Sequence, residues 1–174
     1  ASYGGQETSA KDSEITSATI EWKQREPQEI VGTAAYKRWV KDFGVIDARL
    51  AKELDYTNHG IRYVYMDVTN DGRDEIVVQE GQWAARGFAF AIFELQGKTW
   101  KTIAQHRGAF ILRNINEKKP YEITLIDKDG RDFERYDLSY IKNKYKLKTK
   151  IAPYEDMSYE YFWSLNLTKS EQCQ

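Results

Sequence analysis

Cysteine is almost missing from this chain. Among 174 residues only Cys173 occurs, so no internal disulfide can form and cysteine content does not identify a redox compartment. Long apolar runs are missing too: nothing approaches the roughly 18–20 consecutive apolar residues of a membrane-crossing helix. Net charge is nearly absent. Lys and Arg number 26 against 27 Asp and Glu, leaving −1, which offers no basic excess for nucleic acid or an anionic membrane surface. No glycine-rich phosphate loop, G-x-S-x-G or H-E-x-x-H appears. His59, His106 and Cys173 lack zinc spacing, and a Cys–His nucleophile pair would place its thiol in a polar tail. Paired carboxylates of the glycosidase kind would have to come from Asp71, Asp74 and Glu75, and Asp71 and Asp74 sit in a turn rather than a cleft. The chain therefore reads as not an enzyme.

Aromatic residues are abundant at 14% (Trp 5, Tyr 12, Phe 7). That composition suits half-buried pleated surface and also a contact surface, because Tyr and Trp pair an apolar body with a polar tip. The length and the 41% hydrophobic content suit one domain able to bury a core. The first residues, "ASYGGQETSAKDSE", are small and polar and begin without Met. They read as a trimmed end, either an exported protein after loss of its signal or a cloning boundary. Residues 1–15 are expected to be a disordered tether, one that allows a lipid anchor, and 16–174 a single domain.

Within 16–174, "ATIEWKQ" (18–24) reads as a short strand or the run-in to a helix. "PQEIVGTAAYKRWVKDF" (27–43) reads as helix: Pro27 suits a first turn, and Ile30, Ala34, Trp39 and Phe43 share a face. "VIDARLAKEL" (45–54) is a second helical candidate. From Ile61 the apolar period becomes two. Strands are expected over 61–68, 75–80, 87–95, 99–106, 109–115, 121–127, 133–141 and 144–149, with turn signals between them. In "KNKYKLKTK" (142–150), lysines alternating with Tyr145 and Leu147 fit a strand with one wet face. "YEDMSYEYFWSLNL" (154–167) reads as an aromatic helical turn that packs back on the sheet. The expected fold class is α+β: a short N-terminal helical segment over 27–54, then a β-rich, mostly antiparallel meander, sandwich or barrel-like, over 61–149.

The densest chemistry is "YVYMDVTNDGRDEIVV" (63–78). With Asp67 as position one, Thr69 is three, Asp71 five, Gly72 six and Glu75 nine. A hard cation such as calcium takes six to eight oxygens. A loop turning sharply at Gly72 can aim side chains one, three and five at one point. The carbonyl of Arg73 adds a seventh-position oxygen, and Glu75 adds the last directly or through water. Val78 stands where an EF-hand would carry its twelfth-position acid, so this is not an EF-hand. The other reading is a metal-free hairpin turn in which Asp67 and Asp71 accept backbone N–H bonds. "DGRD" recurs at Asp129–Asp132, again after a strand.

This segment resembles the strand–loop–strand unit of FG-GAP/VCBS-type repeats. Residues 61–147 resemble a group of uncharacterised exported proteins and lipoproteins of Gram-negative bacteria that carry a DxxxDGxxE turn. The resemblance implies a β fold and an extracytoplasmic, periplasmic location, and no enzyme activity. It carries Asp67, Thr69, Asp71, Arg73 and Glu75 over as calcium ligands, with Thr69 in place of the usual Asn or Asp.

"EGQWAARGF" (80–88) joins two apolar strands and holds Trp83 and Arg86, residue types enriched at interface hot spots. Turned outward they would bind a partner; turned inward Trp83 would lid the core. Two functions follow as expectations. The first is a non-catalytic envelope protein that binds another protein, such as an inhibitor or immunity protein against a toxin or cell-wall enzyme. The alternative is a calcium-stabilised carbohydrate-binding or adhesion module.

Overall fold

The computed structural model describes residues 13–25, 61–80 and 89–167. Period-two patterning produces ten strands: β1 (Ser13–Ile15), β2 (Lys23–Arg25), β3 (Ile61–Met66), β4 (Glu75–Glu80), β5 (Ala89–Gln96), β6 (Thr99–Arg107), β7 (Ala109–Asn114), β8 (Glu122–Asp129), β9 (Asp132–Tyr140) and β10 (Tyr145–Ile151). They form two five-stranded antiparallel sheets. One runs β1-β7-β8-β9-β10 and the other β2-β3-β4-β5-β6.

The α+β expectation is corrected by this architecture. Among the described residues the fold is β, two sheets packed as a sandwich, with one short helix, α1 (Tyr159–Leu165), at the C-terminal side. The helical candidates over 27–54 lie outside the described residues. The single meander also divides. β6 belongs to one sheet and β7 to the other, and only Gly108 separates them. Gly108 has φ +135°, and a Cβ there would stand 2.3 Å from the Ile126 carbonyl oxygen. No side chain fits that approach, so the chain changes sheets where glycine alone can bend. Ser13–Ile15, the last residues of the segment expected as a tether, pair with β7.

Alternation along each strand decides which side chains meet. Phe110 and Leu112 of β7 and Ile123 and Leu125 of β8 face Val77, Phe90, Ile92 and Ile103 of the opposite sheet. Phe90 and Phe110 stack across the interface with centroids 4.3 Å apart, and Trp22 meets Phe110 edge-on. Each such buried side chain contributes about 1.5–3 kcal/mol. The intervening positions Ala109, Ile111, Ile126 and Phe133 point out of the sandwich and are covered by Phe162, Leu165 and Met157. This is the aromatic helical turn expected near the C-terminus. Ser158 caps α1, its Oγ accepting the Tyr161 N–H at 3.1 Å.

β10 is an edge strand with Tyr145 buried and the remainder exposed. Leu147, expected on the dry face, is exposed, beside a register shift between Leu147 and Thr149. The edge carries Lys146, Lys148 and Lys150, which suits a strand that must not pair with another chain. Among the described residues no helix is long and apolar enough to cross a membrane.

Candidate metal centre

The β3–β4 connection spans residues 67–74, between the paired ends Met66 and Glu75. Val68, in its first turn, is fully buried in the sandwich core. Its carbonyl accepts the Tyr121 N–H at 2.7 Å, and the Asn70 side-chain amide donates to the Lys119 carbonyl. Tyr121 belongs to the β7–β8 connection, and its carbonyl accepts the Tyr145 hydroxyl at 2.8 Å. The loop of one sheet is thus bonded to the other sheet.

Within the loop, Asp67 accepts the N–H of Asp71 at 3.2 Å and that of Gly72 at 2.8 Å. Asp71 accepts the Arg73 N–H at 2.9 Å, and the Arg73 guanidinium reaches it loosely at 3.5 Å. Asn70 (φ 54°) and Gly72 (φ 86°) take the left-handed turn, the second without cost because it is glycine. The Thr69 N–H donates to Glu75 Oε1 at 2.7 Å. One ligand atom each from Asp67, Asp71 and Glu75 lies within 4.8 Å of the other two.

Electrostatics sharpen the picture. Glu75 is 1% exposed. Burial pushes its carboxyl up to about 7, with Asp71 and Asp67 adding to the rise, although the Thr69 hydroxyl and N–H pull it back. Burial also acts upward on Asp71, but the Arg73 N–H, the Thr69 hydroxyl and the Arg73 guanidinium outweigh it and hold the carboxyl below its usual range. Thr69 is 6% exposed, and its hydroxyl is enclosed between the Asp71 and Glu75 carboxyls.

The two readings of this loop make different demands. A plain turn accounts for the N–H bonds to Asp67 and Asp71, and those bonds are present. It does not by itself require a third carboxyl, Glu75, buried within reach of the first two. Carboxylate and hydroxyl oxygens are ligands that hard cations take, so the cluster could hold one.

Of the residues singled out in the sequence, Asp67, Thr69, Asp71 and Glu75 are brought together. The Arg73 guanidinium is exposed, 69% of its side chain being accessible, and points along the loop toward Asp71. Trp83 and Arg86 lie outside the described residues, as do His59 and Cys173. His106 is half-buried in β6, its ring 6.1 Å from that of Tyr136. Asp129–Asp132, the second "DGRD", closes a two-residue hairpin between β8 and β9 with Gly130 at φ 61°. The repeated tetrapeptide therefore serves two different turns and marks no duplication of the loop.

Sequence reasoning missed Glu94. It is 5% exposed on β5, where the Tyr140 hydroxyl donates to its two oxygens at 2.7 and 2.8 Å and Gln96 donates at 2.7 Å. The available signal was a lone acid inside the apolar run "FAFAIFEL". Compared with protein-family models, curated proteins and solved structures, the chain matches none.

Proposed function

We propose that this protein is a non-catalytic binding module whose 67–75 loop holds calcium, the ion setting the shape of the end of the sandwich that meets a ligand. The observation that carries the reading is the convergence of Asp67, Asp71 and Glu75 within 4.8 Å, with the buried Thr69 hydroxyl facing Asp71 and Glu75. Asp67, Asp71 and Glu75 would supply carboxylate oxygens, Thr69 its hydroxyl, and Arg73 its carbonyl. The spacing of the carboxylates would admit a shared cation. Three acids, one of them reluctant to ionise, suit the weak affinities of extracellular calcium modules, in the range of about 10⁻⁴–10⁻³ M. That agrees with the periplasmic location implied by the loop's resemblance to FG-GAP-type and exported proteins.

The protein-partner reading, an inhibitor or immunity protein, depends on Trp83 and Arg86, which lie outside the described residues. The geometry favours the calcium-stabilised module.

Calorimetric titration of calcium into EDTA-stripped protein tests the reading. One calcium per chain is expected, lost in Asp71→Ala and in Glu75→Gln. Saturating ion should raise the melting temperature, since a ligand at a hundred times its Kd contributes about 2.7 kcal/mol. Absence of binding heat together with an unchanged melting temperature would reduce the loop to a turn.

A further inference from the structure

A pocket of about 250 Å³ borders the acidic loop. Small-molecule sites occupy roughly 300–1,000 Å³, so this one suits a ligand the size of a single ring. Both sheets build it. Asp71 and Arg73 come from the β3–β4 loop, Glu94 and Gln96 from the end of β5, and Tyr140 and Asn143 from β9 and the hairpin that follows.

Its polar groups are already positioned. Glu94, gripped by Tyr140 and Gln96, is a buried carboxylate in the wall. Gln96 Nε2 also donates to the Asn143 carbonyl at 2.9 Å, tying the end of β5 to the opposite sheet's hairpin. Lys142 and Asn143 are consecutive left-handed residues with φ 51° and 68°, the geometry of a tight hairpin that favours Asn and disfavours Lys. A carboxylate has about four acceptor positions. One Tyr140 O–H, shared between both oxygens, and one Gln96 N–H leave Glu94 with acceptor capacity. Arg73 brings five N–H donors and makes one loose 3.5 Å contact, with Asp71.

Charge selects the ligand class. Asp71 and Glu94 are acidic and Arg73 is basic. Asp71 belongs to both the pocket wall and the cation cluster. A divalent cation in the loop offsets two of its three carboxylate charges, and Arg73 offsets Glu94. Acceptors and donors side by side match hydroxyl groups, which donate and accept together. We propose that this pocket is a subsite for a neutral polyhydroxylated ligand of about one sugar ring, readied by the cation in the adjoining loop. The proposal rests on the calcium reading of that loop.

The test is an NMR titration of isotope-labelled protein with glucose, galactose, mannose and N-acetylglucosamine, in calcium and again in EDTA. One of these sugars should move the backbone amide signals of Gln96, Gly97 and Asn143. Its affinity should fall roughly tenfold or more in EDTA, in Arg73→Ala and in Glu94→Gln, the loss expected for one charge-assisted hydrogen bond. Arg73 is exposed, so Arg73→Ala should keep the native spectrum even if Glu94→Gln perturbs folding. If calcium binds by calorimetry and none of these sugars moves a signal, the pocket proposal is overturned and the loop reading stands. If sugar binds equally with and without calcium, the dependence on the cation is overturned. Glucosamine, protonated at neutral pH, is titrated alongside them, and its binding in EDTA where the neutral sugars do not bind overturns the ligand class. Failure of calcium and of every sugar overturns both readings.

Discussion

Glu75 shows how one buried acid ties chemistry to stability. Its ordinary carboxyl value is 4.5, and burial raises it to about 7 in the folded protein. A carboxyl raised in the folded state keeps its proton where the unfolded chain has already lost it, so folding is favoured at low pH and disfavoured as pH rises. The contribution is fully present below about 4.5, declines between 4.5 and 7, and is gone above 7. In EDTA, the wild-type protein should lose stability across that window relative to Glu75→Gln, by about 1–3 kcal/mol. Paired denaturant titrations from pH 4 to 8 measure the difference. Identical pH profiles for the two proteins would remove Glu75 as the source. Calcium should abolish the decline, because a cation replaces the proton as the neutralising partner. At this scale much was legible. The grouping of Asp67, Asp71 and Glu75 was readable from their spacing, because spacing within one loop is a local property. Glu94 was not, because its partner Tyr140 lies on a distant strand and nothing local in "FAFAIFEL" reveals it.

Elements were legible where their periodicity was local and obscure where a long-range contact decided. The strands from Ile61 onward follow from alternation, and α1 follows from an aromatic stripe after Ser158. The division into two sheets does not follow. Nothing in "AQHRGAFIL" distinguishes a glycine inside a continuous strand from one at which the chain leaves its sheet. The reason Gly108 is required is a backbone atom of β8, the Ile126 oxygen, 2.3 Å from where its Cβ would stand. The α+β part of the expectation came from the helical candidates over 27–54, which lie outside the described residues. The Ile126 contact explains why the chain changes sheets at this point. Gly108→Ala should therefore be severely destabilising, by roughly 3 kcal/mol or more, since it adds a backbone clash to an unfavourable φ. Gly130→Ala, at φ +61° with nothing within 4 Å, should cost only about 1 kcal/mol. Urea melts of the two variants give the ranking. Equal losses would show that conformational strain, not the approach of Ile126, sets the requirement at the sheet crossing.

On the scale of the whole molecule, the acidic loop is a clasp between sheets. Val68 is buried in the shared core, its carbonyl bonds Tyr121 from the other sheet, and Tyr145 of β10 bonds the Tyr121 carbonyl in turn. Asn70 adds the bond to Lys119. An ion that holds 67–75 in this shape cannot be released by opening the loop alone without breaking bonds into the β7–β8 connection. Binding energy placed in the loop should therefore stabilise both sheets together, by an amount set by ion concentration over Kd. Hydrogen exchange distinguishes this from a local effect, because locally opened segments exchange independently of global unfolding. Calcium should slow exchange not only at Asp71, Gly72 and Arg73 but also at Tyr121 and along β8, where residues such as Leu125 face the interior. If protection appears only at 71–73, the loop holds its ion as a separate local unit. In that case the clasp contributes nothing to joining the sheets, and a cation could set only the lip of the neighbouring pocket.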